Sequence, residues 1–82
     1  MKKHTKIYLE YFGYGEQDMI PCEICRTRAA DIHHINGRGI GKDVIENLMA
    51  LCRDHHTQAH AEKISKAELQ DIHFKFMQNE KQ

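Results

Sequence analysis

The sequence predicts a small α+β domain in which two short strands lead into helices and the core is pinned by bound metal. Three observations carry that expectation. A C-x2-C pair, Cys22 and Cys25, follows Pro21; two short apolar runs, 29–35 and 47–51, flank a glycine-punctuated loop; and residues 52–60 set Cys52, His55, His56 and His60 at helical spacings with no helix breaker among them.

With 82 residues and 40% hydrophobic content, the chain suffices for one domain spanning 1–82, with its core at about 21–64 and a C-terminal helix at 65–78. It is marginal for a core that stands alone, so a staple is expected. Three cysteines cannot all pair, no apolar run approaches membrane-spanning length, and the N-terminus leads into no signal-peptide hydrophobic region. Thiols held on metal in a reducing, cytoplasmic setting are therefore expected, with no membrane partner. Twelve basic and twelve acidic side chains cancel, so a polyanion could be met only through local charge and bound metal.

Taken in order, Ile7, Tyr8, Tyr11 and Phe12 fit a helical stripe, although their aromatic and β-branched content would also suit a strand, and the rings are read as core rather than as a base-stacking platform. Cys22 and Cys25 form a knuckle with two thiolates at ligand spacing, and no βαβ context supports a thioredoxin-like alternative. Arg26 stands where a glycine often follows the second cysteine. The run 29–35, containing His33 and His34, is expected as the first strand. The loop 36–43 lacks the spacing and the Lys-Ser/Thr ending of a phosphate-binding P-loop, yet Arg38 and Lys42 on it are candidate phosphate contacts. Residues 47–51 are expected to return antiparallel and deliver the chain into Cys52. A helix over 54–63 follows. Ser65 and Glu68 then form a capping box that opens a last helix over 66–78, with Leu69, Ile72 and Phe76 facing inward. His73, like His4, is read as structural or exposed, and the tail 79–82 is expected to fray.

The ligand-type residues divide by geometry. On a helix the Cys52/His55 pair and the His56/His60 pair point roughly 90° apart, so one ion cannot easily serve both. Cys22, Cys25, Cys52 and His55 make a closed tetrahedral set suited to structural zinc, with His56 or His33 in place of His55 as the other partitions. A histidine pair one helical turn apart, joined by a third from the adjacent strand, makes a three-histidine site with open positions, and open positions imply chemistry.

The run His33-His34-Ile35, then Asn47-Leu48 through Leu51-Cys52, then His56 and His60 resembles the HNH endonuclease family over about 21–60. The resemblance implies a treble-clef-like ββα-metal domain with an added structural zinc. It implies that His33, His56 and His60 hold one catalytic divalent cation (magnesium, manganese, nickel or zinc), that His34 is the general base, and that Asn47 orients the base and its loop. His55 stands where zinc-stapled relatives commonly have a fourth cysteine. The implied reaction is metal-dependent hydrolysis of DNA phosphodiester bonds, leaving 5′-phosphate and 3′-hydroxyl ends. Neighbours on an ideal strand face opposite ways, so His33 and His34 serve one site only if the strand ends or twists at Asn36-Gly37. The expected partner is double-stranded DNA, held through phosphates and shape by Lys2, Lys3, Lys6, Arg26, Arg28, Arg38 and Lys42, with a protein partner as a further source of specificity. The alternative is a non-catalytic zinc-binding module of the same fold that binds nucleic acid or protein.

Overall fold

The computed structural model describes residues 2–80, apart from the side chain of Glu80, so the fraying expected of Lys81 and Gln82 lies outside the described residues. Within those residues the chain is a mixed α+β fold of three α-helices and one two-stranded antiparallel sheet.

Helix α1, Lys3–Phe12, buries His4, Tyr8 and Phe12 at one-turn intervals, with Leu9 beside them. Ile7 and Tyr11, expected in the same stripe as Tyr8 and Phe12, pack at its margin. The helix stops at Gly13, whose φ of 76° is left-handed. A side chain there would be strained, and the turn lets Tyr14 N–H donate to the Leu9 carbonyl at 2.9 Å.

Strands β1, Asp31–His34, and β2, Leu48–Leu51, pair antiparallel with Ile32 opposite Ala50 and His33 opposite Met49. Asn47, expected to begin the second strand, instead closes a 3-10 turn over Ile45–Asn47. Residues directly opposite share a face and successive residues alternate, which gives the sheet two different sides. Ile32, Leu48 and Ala50 pack with Tyr8 and Phe12 of α1 and with Phe76. Met49 and Leu51 pack with Cys22, Ile35, Ala59 and Leu69.

The second side is covered by α2, Arg53–His60, which ends three residues before the expected 63 because Glu62 turns left-handed at φ 58°. Helix α3, Lys66–Glu80, starts on the expected capping box: Glu68 N–H donates to Ser65 Oγ at 3.1 Å and Ser65 N–H to Glu68 Oε1 at 3.3 Å. Leu69, His73 and Phe76 are its buried face. No described helix is long and apolar enough to cross a membrane.

A buried polar clamp joins these layers. Glu23, between the two knuckle cysteines, accepts from the Tyr8 hydroxyl at 2.6 Å and lies 2.8 Å from His73 Nδ1. His73 Nε2 donates to the Ile45 carbonyl at 2.6 Å, and Glu23 N–H donates to the Ala50 carbonyl at 3.0 Å. Burial first, and then the Glu23 charge, push the Tyr8 phenol far above its ordinary range. His4 and His73 are thus both structural and both buried.

Candidate functional site

Two ligand clusters diverge from α2, as the helical spacings require. The first joins the knuckle to the helix start, and its four ligand atoms, from Cys22, Cys25, Cys52 and His55, all lie within 4.8 Å of one another. Tetrahedral zinc with ordinary bond lengths sets S···S edges of roughly 3.8 Å and S···N edges of roughly 3.5 Å. Cys25 and Cys52 sulfurs stand 3.7 Å apart, and His55 Nδ1 is 3.7 Å from Cys22 and 3.3 Å from Cys52. Those spacings fit one zinc-sized ion better than direct hydrogen bonds, so the residues fit the implied metal. No disulfide joins the three cysteines.

Local structure prepares these ligands. Cys52 is the N-cap of α2, and its sulfur accepts from His55 N–H at 3.5 Å. Thr27 Oγ1 lies 2.9 Å from Cys25 Sγ, and hydrogen bonding from Thr27 pulls the Cys25 thiol down to about 6. Burial pushes the Cys22 thiol up. Arg26 takes the left-handed conformation, φ 68°, that a glycine would adopt without strain, and its guanidinium lies 5.0 Å from the Phe76 ring centroid.

The second cluster is His33, His56 and His60. His56 Nε2 and His60 Nε2 are 3.1 Å apart, close to the roughly 3.3 Å edge expected between imidazole nitrogens on one zinc. The His33 ring lies 5.1 Å from each of their rings. His56 turns Nδ1 toward Asp31 Oδ2 at 3.9 Å, which leaves Nε2 for an ion. Burial first, then His56 and His60, hold His33 down at about 4, so its lone pair is not lost to a proton at neutral pH. Burial lowers His56 as well. The cluster opens on a cleft lined also by Asp31, His34, Gly37 and Arg38.

Other sequence-predicted residues are placed differently from expectation. The ladder continues through His34, so the strand does not twist to put both histidines on one side. His33 faces α2, whereas His34 packs under His4 of α1 with ring centroids 4.6 Å apart, and both line the cleft. Asn47 does not hold His34. Its Oδ1 accepts from Asn36 N–H at 2.7 Å, and its Nδ2 donates to the Gly37 and Lys42 carbonyls at 3.2 and 3.0 Å, pinning both ends of the loop. Arg38 lines the cleft, but Lys42 lines a separate groove with Asn47 and Phe74.

The partner of His34 is a residue that sequence reasoning passed over. Asp43 Oδ1 stands 2.8 Å from His34 Nε2. The two lie nine positions apart in the chain, and neither period nor motif couples them. Comparison with known proteins returned no match: no family model, no curated protein and no solved structure aligns with this chain.

Proposed function

We propose that the chain is a metal-dependent DNA endonuclease of the HNH kind, with β1, β2 and α2 as a ββα-metal unit and the knuckle as its treble-clef-like zinc site. The observation that carries this reading is the convergence of His33, His56 and His60 on a cleft bordered by His34 and Arg38. Three imidazoles leave part of an ion's coordination open, whereas the Cys22, Cys25, Cys52 and His55 set is closed. A divalent cation bound at the histidines supplies Lewis-acid stabilisation of charge on phosphodiester oxygens.

The chain's own residues then divide the remaining work. His34 takes a proton from the attacking water as the new O–P bond forms and the P–O3′ bond breaks, leaving a 5′-phosphate and a 3′-hydroxyl. Arg38 meets the phosphate beside the cleft, and Lys42 meets the backbone further along it. Asn47 acts by holding the loop that carries both cations. Thiols gathered on zinc suit a reducing cytosol.

The test is a supercoiled-plasmid assay with magnesium, manganese, nickel or zinc. Wild type is expected to nick or linearise the DNA, and His34→Ala to lose at least about a hundredfold in rate with unchanged zinc content and circular dichroism. A wild type that binds duplex DNA but cuts with none of these ions is the non-catalytic binding module instead.

A further inference from the structure

The third cluster of ligand-type side chains, His4, His34 and Asp43, has the composition of a metal site. One distance decides against that use. At 2.8 Å, His34 Nε2 and Asp43 Oδ1 are closer than the roughly 3.3 Å edge two ligand atoms span on zinc, and they sit at ordinary hydrogen-bond length.

We propose that Asp43 is a positioning residue for His34, fixing its ring so that Nε2 carries the hydrogen and Nδ1 is the nitrogen that accepts a proton. This inference rests on the reading of His34 as the general base. An ionised carboxylate only accepts, so the imidazole nitrogen facing it must donate, and a neutral ring then keeps its lone pair on the other nitrogen. The hydrogen bond from His34 holds the Asp43 carboxyl below its usual range, in keeping with that direction.

The surroundings hold the pair in place. The His34 side chain is 4% exposed and that of Asp43 34%, so the bond is mostly shielded on one side and open on the other. The His4 ring stands edge-on to His34, tilted 67°, and stops it from turning about its axis. Asn47 fixes the Lys42 carbonyl, the peptide group immediately before Asp43, so the asparagine acts on the base through this loop. Lys3 and His4 act on Asp43, and Lys2 and Arg38 act on the neighbouring His4.

The experiment uses the full-length, zinc-loaded protein. Long-range ¹H–¹⁵N correlation spectra of the imidazoles are expected to show His34 of wild type as the Nε2–H form, and His34 of Asp43→Ala as a mixture or the Nδ1–H form. In plasmid cleavage, Asp43→Ala is expected to lower kcat roughly 10- to 100-fold with KM unchanged. Asp43→Asn, whose side-chain oxygen still accepts from Nε2, is expected to recover most of that loss. A wild-type His34 in the Nδ1–H form, or an Asp43→Ala kcat equal to wild type, overturns the inference. Should Asp43→Ala lose its zinc or its fold, the wild-type spectrum and Asp43→Asn decide alone. A wild type that cuts nothing removes the base reading instead, and the nitrogen spectrum still reports whether Asp43 sets the tautomer.

Discussion

His55 and His56 are neighbours in α2, yet they belong to different ligand clusters. His55 completes a set with three sulfurs, one of them from Cys22, which is fully buried beside Met49 and Leu51. His56 and His60 face a cleft, and only His33 of their cluster is buried. Each cluster has one buried member, Cys22 in the first and His33 in the second, and one exposed member, so burial does not separate them; four ligands with three sulfurs stand against three imidazoles. The difference lies in the number and type of the ligands: a four-member set with three sulfurs can close a tetrahedron, whereas three imidazoles leave positions open.

That contrast is sharpest under mutation. Cys22→Ala is expected to unfold the domain, because apparent zinc-binding energies of about 10–16 kcal/mol in small zinc folds exceed the stability such a chain can supply alone. The check is helicity by circular dichroism with and without chelator. His60→Ala is expected to keep the melting curve and zinc at the knuckle while losing about a thousandfold in cleavage, near 4 kcal/mol of transition-state stabilisation. Equal unfolding by both variants would erase the distinction.

Proton competition sharpens it further. Three ordinary imidazoles with pKa 6.5 would lose about fiftyfold in ion affinity between pH 7.5 and pH 6. His33, lowered from 6.5 to about 4, does not take up a proton in that window, and His56 is lowered too, so the drop is expected to stay below about fifteenfold. Calorimetric titration of nickel into protein with zinc already on the knuckle checks this. In the metal-free fold the sign is the same: between about 4 and 6.5 the unfolded chain holds the His33 proton and the folded chain does not, so His33 burial costs stability as pH falls through that range and nothing above it.

The smallest expected effect lies in the knuckle. Arg26→Gly relieves a left-handed backbone but removes the guanidinium from Phe76, two contributions of about 1 kcal/mol each and opposite in sign. Thermal melts are expected to differ by less than about 1 kcal/mol, with zinc affinity unchanged.

What could be read from the chain alone was local. The C-x2-C spacing, the diverging pairs on α2 and the Ser65/Glu68 box each lie within one turn, where a period or a motif reports directly on geometry. Asn47 was expected, through the resemblance, to orient His34 and its loop; its partners are backbone groups of that loop, the Asn36 N–H and the Gly37 and Lys42 carbonyls, which leave no mark in a sequence. The pairs His34 with Asp43 and Glu23 with His73 were hidden for a similar reason. They lie nine and fifty positions apart in the chain, and only packing brings them together. Helix and strand were also hard to tell apart in residues 1–20, because aromatic and β-branched side chains suit both until a neighbouring surface selects one.

Glu23 belongs to the knuckle by sequence, to α1 through Tyr8 and to α3 through His73. Through that single carboxylate the knuckle is tied to both outer helices, and α1 carries the His4 ring that packs against His34. A disturbance at the knuckle would then be felt on the far face of the sheet without passing through the cleft.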